Sequence, residues 1–512
     1  MNRAITLPLI RHLILGAALL LTACSRPAPP AAEKPAAPPA TAARELMALA
    51  QATPGQFQPV PLPDPKIPGY KFPETEDTIV NWTKTNNFDA MNLHAWGIWT
   101  ALNQITDQTF DNQKLRVFET WYDPTDLASA PTITALEPLL RQPRRLQIPR
   151  QFEHGGAHRL TAAADMIGSP AVQVLVKYDP TASQHILANS LFSSAKLTTL
   201  LNTDHKPSVP DFPVTAVSLK PVFVTLSAST LKQGRYFQLK AWPGPPPMTF
   251  NKTDGLWHSV PFPQSQWGQC VWIDTQGTAQ SPGATVDKTC AADGSSRTVA
   301  STYGIDEFIH FRVTAANADL INAQTKQLAL TSAPKAVAGD YAVLVAMHVT
   351  SREITRWTWQ TFWWSYNADQ PAAPSSDAIA QARPAQLTLP ASHYTHCVGY
   401  DELTPPQPAS GGRNQGDSLY CYNPYLEAPF DASVLPDSQP GMTKIKGQPV
   451  KTANDVGVQT NCMSCHEQAN FNPNNVKPAP DYTGDRYVDL TGPAFNGVLK
   501  VDFLWSIPGN AK

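Results

Sequence analysis

Apolar positions along this chain follow two different periods. Between residues 88 and 105, Met91, Ala95, Ile98 and Leu102 recur at helical spacing, and Trp96 and Trp99 widen their stripe, which predicts an amphipathic helix. A second helix is expected from about 181 to 201, following Tyr178-Asp179-Pro180. Short apolar runs predict strands at 117–122, 172–176, 214–226, 234–242, 303–313, 340–350, 355–366 and 497–507. The pair 214–226 and 234–242 reads as hairpin-like. In 340–350, Tyr341, Val343, Val345, Met347 and Val349 alternate with Ala342, Leu344, Ala346 and His348. Both faces are apolar, the mark of a central, buried strand.

The strands outnumber the helices, and Pro/Gly/Ser loops separate them. The expected fold is mainly β with some helices: a β-sandwich or barrel-like body carrying a C-terminal segment packed on it. Five stretches follow from the pattern: 1–24; a Pro/Ala-rich tether and strap over 25–73; a mixed α/β segment, 74–213; a β-rich domain, 214–390; and a C-terminal segment, 391–512. Within these, 44–51 reads as a short helix, 54–73 as an extended strap and 367–390 as a linker or long loop.

Composition changes this picture in one respect. Fifty of 512 residues are proline, about twice the usual ~5%, which favours short strands and irregular connections. Charge is balanced, 39 basic against 41 acidic residues, so nothing points to a nucleic-acid partner. The sequence RWTWQTFWW places Trp357, Trp359, Thr361 and Trp363 on one strand face and Thr358, Gln360, Phe362 and Trp364 on the other. Such a cluster serves as core between sheets, or as a stacking platform or electron relay.

The N-terminus has the marks of export. Arg3 and Arg11 precede an apolar run, residues 13–21, which is short for a membrane span and flanked like a signal peptide. Leu21-Thr22-Ala23-Cys24 resembles the lipobox of bacterial lipoproteins, which implies a lipid on Cys24. Ser25 follows it, and by that resemblance the expected location is the cell outer membrane, periplasmic or surface-facing. Outside the cytoplasm cysteines pair. Cys270, Cys290, Cys397 and Cys421 are then candidates for two disulfides; neighbour pairing gives Cys270–Cys290 and Cys397–Cys421, among three possible connectivities.

The chemistry lies in Asn461-Cys462-Met463-Ser464-Cys465-His466, a Cys-x-x-Cys-His haem-attachment signature. Two thiols add to the two haem vinyl groups, and the adjacent histidine supplies the proximal nitrogen. A thioredoxin-like redox pair lacks its βαβ context, and a zinc site lacks two further ligands. The C-terminal segment resembles the c-type cytochromes, which implies one covalent haem c on Cys462, Cys465 and His466.

The segment departs from that family in one way. Only 46 residues follow His466, and none is methionine or histidine. A sixth iron ligand must come from upstream or from an unusual donor such as Lys477, Tyr487 or Lys500. The upstream candidates are Met442, His396, His393 and His348, then Met347, His310 and His94; an open iron is the alternative. His154 and His158 form a weaker metal pair. No Gly-x-Ser-x-Gly, phosphate-binding loop or His-Glu-x-x-His motif is present.

The expected function is electron transfer in the bacterial cell envelope, with a redox partner protein or small electron carrier and a lipid anchor in the membrane. Two alternatives stand beside it. One is a haem c-dependent, peroxidase- or oxygenase-like oxidoreductase with an open distal site. The other is a ligand- or partner-binding envelope protein with a haem relay. Enzyme activity itself is left undecided by the sequence.

Overall fold

The alternating apolar strand at the centre of the sequence organises the chain. In the computed structural model, β5 (Tyr341–Ser351) is the hub of a seven-stranded antiparallel sheet. Its other strands are β1 (Val172–Val174), β2 (Lys177–Tyr178), β3 (Val217–Leu226), β4 (His310–Arg312), β6 (Thr358–Trp364) and β7 (Tyr394–Val398). The order is β7-β6-β5-β3-β1, with β4 also on β5 and β2 also on β3. The structure describes residues 57–512, except 138, 148–171, 248, 259–261, 278–282, 328–329, 331–332, 401–420, 430–440, 446–447, 453–465 and 475–489. For 441–445, 448–452 and 494 the backbone alone is described.

Glu45–Lys512 form one compact unit. The main sheet draws strands from each of the stretches 74–213, 214–390 and 391–512. Residues 1–44 lie outside the described residues, and with them Cys24 and the Pro/Ala tether. Among the described residues no helix is long and apolar enough to cross a membrane.

The two faces of the sheet are covered differently. Across β5, β6 and β7, Met347, Phe362 and His396 are in register and share one face. Helix α1 (Glu76–Lys84) is followed by α2 (Phe88–Leu102), and α2 covers that face. Trp99 stacks on Phe362 at 4.4 Å, and its indole N–H donates to Ala391 O. The opposite face carries Lys220, His348, Thr361 and Cys397 in one register row and Thr350 with Trp359 in the next. The proline-rich strap over 57–73 runs extended, with Val60, Leu62, Tyr70 and Phe72 packed against the core. Asn87 caps α2 by accepting the Ala90 amide, so the helix starts where the periodic pattern starts.

Ten helices and a sheet-rich body are present among the described residues, and no sheet closes into a barrel. The barrel-like alternative is therefore corrected: the main sheet is open, and three- and four-stranded sheets stand beside it. Both expected disulfides form, Cys270–Cys290 and Cys397–Cys421.

Several expected elements change type for local reasons. Residues 117–122 are not a strand; Val117–Thr120 is a single helical turn. Glu119 accepts the Arg116 amide and Thr120 bonds back to Val117 O, which closes the turn. The helix over 181–201 splits into Pro180–Ala188 and Ser194–Asn202. Ser190 adopts φ 52° between them, and Ser193 caps the second. The expected hairpin is absent, since β3 pairs with β5 while Tyr236–Lys240 pairs with Cys270–Asp274. The run 303–313 is cut by a turn at Ile305–Glu307, where Glu307 accepts the Gly304 amide, so its halves join different sheets. Residues 367–390 are no loose linker. They hold a helix, Asp377–Gln381, and Ile379 O accepts the Trp96 indole N–H. In 497–507 the strand is confined to Leu499–Lys500, and a helix, Ser506–Asn510, follows.

Candidate functional site around His466

His466 is the member of the Cys-x-x-Cys-His signature that the structure describes; Cys462 and Cys465 lie outside the described residues. Its seat is built by the C-terminal turn. Asp502 and Phe503 both adopt the left-handed region, φ 46° and 69°, a conformation that costs non-glycine residues energy and needs external support. The support is the Asp502 carboxylate. It accepts from the Phe212 amide at 2.9 Å, Arg352 Nε at 3.2 Å and Trp357 Nε1 at 3.2 Å. Trp357 itself has φ 60°. The turn so held aims the Phe503 carbonyl at His466, whose Nδ1–H donates to it at 2.8 Å.

Further contacts fix the residues around it. Glu467 is buried and accepts from Arg356 Nη1 at 2.7 Å. The Trp359 indole N–H donates to Arg356 O, and its ring lies 4.2 Å from the His466 ring. The Ala469 amide returns to His466 O, and Val501 N donates to Ala469 O. Burial pushes the imidazole of His466 down to about 3; the Phe503 carbonyl opposes this, while the charges of His348 and Lys220 add to it. A neutral imidazole anchored through Nδ1–H presents Nε2 as its donor atom, the usual arrangement for a histidine ligand. Among the described residues Nε2 has no hydrogen-bond partner. Among the described residues no group of three or more His, Cys, Asp or Glu is placed to hold a metal ion.

The sheet sorts the candidates for a sixth ligand. His348 lies on the Trp359 face, and its charge bears on His466. Its Nε2 is engaged at 3.0 Å by Glu427, whose other oxygen accepts the Asn423 amide. His396 faces the other side, fully buried against Trp96 at 4.6 Å and Phe362 at 5.2 Å. Among the described residues neither of its ring nitrogens has a hydrogen-bond partner, and burial pushes it down to about 3. His393 is on that side too, parallel to Trp364 at 5.9 Å, with Nε2 3.0 Å from Glu307 Oε2. Met347 is core on the same face. His94 is tied to Tyr400 and Glu353, and His310 to Phe308 O.

Met442 sits in a strand, Gly441–Ile445, paired with Gln448–Thr452. Its side chain lies outside the described residues, as do Lys477, Tyr487, His154 and His158. Lys500 Nζ donates to Leu490 O. The tryptophan cluster is core: Trp357, Trp359, Trp363 and Trp364 are at most 3% exposed, which removes an exposed stacking platform. Trp357 precedes β6 rather than sharing its face.

Residues that sequence reasoning missed are Glu427, Asp502 and the Arg356–Glu467 pair. The contacts that tie them to this region reach partners more than 75 positions away, which no local pattern reports. No family model, curated protein or solved structure matches the chain.

Proposed function

We propose that the protein is a membrane-anchored monohaem c-type cytochrome transferring electrons in the bacterial cell envelope. Its haem would be joined through Cys462 and Cys465, with the iron held by His466. The observation that supports this most is the pairing of motif and seat: the histidine of Cys-x-x-Cys-His is anchored through Nδ1–H to Phe503 O. When bound, haem c supplies the one-electron couple. The protein's part is to orient His466 through Phe503, to brace its neighbour through Arg356–Glu467, and to shield the ring with Trp359. The Cys397–Cys421 disulfide tethers the segment carrying Glu427 to the same sheet face. Lipidation of Cys24 would hold the body at the outer membrane, within reach of a redox partner protein or small electron carrier.

A second reading has a specific observation in its favour. His348 is the histidine on the His466 side of the sheet, and Glu427 already engages its Nε2. An acid–base pair beside an iron with no protein sixth ligand suits a peroxidase- or oxygenase-like oxidoreductase. One experiment separates the readings. The full chain is expressed with c-haem maturation and its oxidised and reduced spectra are recorded with and without carbon monoxide and cyanide. A low-spin spectrum indifferent to both supports electron transfer; a high-spin spectrum that shifts on their addition supports the oxidoreductase. Absence of covalent haem, or its retention in a Cys462→Ser/Cys465→Ser variant, overturns both.

A further inference from the structure

A cavity of about 360 Å³ opens at the C-terminal end of α2, and Trp99 of that helix packs on the Phe362 face, away from His466. Its volume is at the lower end of sites that hold small molecules, roughly 300–1,000 Å³. Arg116, Asn103, Ile105, Leu387, Thr388 and Leu389 are among its lining residues. The lining mixes polar side chains such as Asn103 and Thr388 with the apolar ones, and holds one cation.

That cation is singular. One Arg116 nitrogen donates to Asn103 O at 2.8 Å. The nearby carboxylate of Glu119 is committed elsewhere, to Arg144 at 2.6 Å and to the Arg116 backbone amide at 2.8 Å. Among the described residues no carboxylate oxygen forms an ion pair with the Arg116 guanidinium. Burial lowers its proton affinity, and the charge of Arg144 adds to this against the opposing pull of Glu119 and Tyr394. A half-buried guanidinium without a counter-ion is costly unless an anion completes it. Two side chains at the site are large and apolar yet exposed, Ile105 at 53% and Leu389 at 47%. Such exposure beside a cavity suits a ligand with a hydrocarbon body.

We propose that this cavity binds a small organic monocarboxylate, its carboxylate on Arg116 and its hydrocarbon part against Leu387, Leu389 and Ile105. A planar guanidinium matches a carboxylate's two oxygens. A single cation favours one negative charge over a dianion such as phosphate. The site is independent of haem.

The test is isothermal titration calorimetry on the full chain with hexanoate, hexanamide, hexylamine and inorganic phosphate. Hexanoate is expected to bind roughly tenfold or more tighter than each of the others, the weight of a charge-assisted hydrogen bond. Arg116→Gln is expected to abolish that preference. Because Arg116 also braces Asn103 O, Ile105→Glu gives a second reading from an exposed position; it should weaken hexanoate severalfold more than hexanamide, which loses the apolar contact but meets no charge repulsion. Hexanoate binding no tighter than hexanamide, or a preference unchanged in both variants, overturns the proposal. So does tighter binding of phosphate.

Discussion

Removing the Asp502 carboxylate should unseat His466 and weaken the whole chain. Asp502→Ala leaves three donors without their acceptor: the Phe212 amide, Arg352 Nε and Trp357 Nε1. All four residues are largely buried. An orphaned buried donor costs about 1–3 kcal/mol, and a buried charge stripped of its partner about 3–5 kcal/mol. The costs overlap in one carboxylate, and Arg352 keeps its bond to Ile354 O. The expected loss is therefore about 4 kcal/mol rather than their sum. Asp502→Asn can keep its oxygen where Phe212 and Arg352 donate, and loses the Trp357 acceptor and the charge opposite Arg352, so a smaller loss of about 2–3 kcal/mol is expected. Urea denaturation followed by tryptophan fluorescence measures both. The two left-handed residues give a second readout. Without the carboxylate, Phe503 O no longer has a fixed position; on the proposed function, the haem-loaded Asp502→Ala protein should show an altered absorption spectrum under conditions where it is still folded. Equal midpoints for wild type and Asp502→Ala would refute the energetic argument. A destabilised Asp502→Ala protein with an unchanged haem spectrum would refute the link from this turn to His466.

Two further predictions probe the scaffold. Gly97 lies inside α2, where alanine would ordinarily stabilise by up to about 1 kcal/mol; here a Cβ would stand 2.0 Å from the Tyr70 ring of the strap. Gly97→Ala should instead lower stability by about 2 kcal/mol or more, and a raised thermal midpoint would show that the strap does not lie against this helix. Asp179 is pushed up to about 6 by burial, against the amides of Val217, Ala182 and Thr181 that it accepts. The folded state then binds its proton more tightly than the unfolded state, so this stabilisation is full below about 4 and is lost as pH rises through 6, by about 3 kcal/mol in all. Asp179→Asn keeps an acceptor oxygen but has no such titration. Relative to wild type it should gain about that amount between pH 4 and pH 7 in urea midpoints; a constant difference would place the carboxyl near its ordinary value.

What was legible in the sequence was what is decided locally. The stripe of Met91, Ala95, Ile98 and Leu102 marks α2 because its burial follows helical period, and the two-sided apolar run of β5 marks a strand with neighbours on both sides. The run Leu499-Lys500-Val501-Asp502-Phe503-Leu504 reads as a strand by the same rule, yet two left-handed residues turn it after Lys500. Nothing within it says so. The turn is fixed by donors from residues 212, 352 and 357, a tertiary override that no local period contains.

The case of His396 differs, because part of the answer was available. Its neighbour Cys397 is bonded to Cys421. Successive residues of a strand point to opposite faces. Cys397 is in register with Thr361 and His348, on the face where Glu427 and His466 lie, so the disulfide to Cys421 fixes that face for the cysteine and the other for the histidine. The same alternation directs His396 away from His466, into the packing of Trp96 and Phe362. A histidine directed to the same side as Cys397 would have to stand at an even spacing from it along the strand, and β7 has none there; across β5 and β6 the register instead delivers His348.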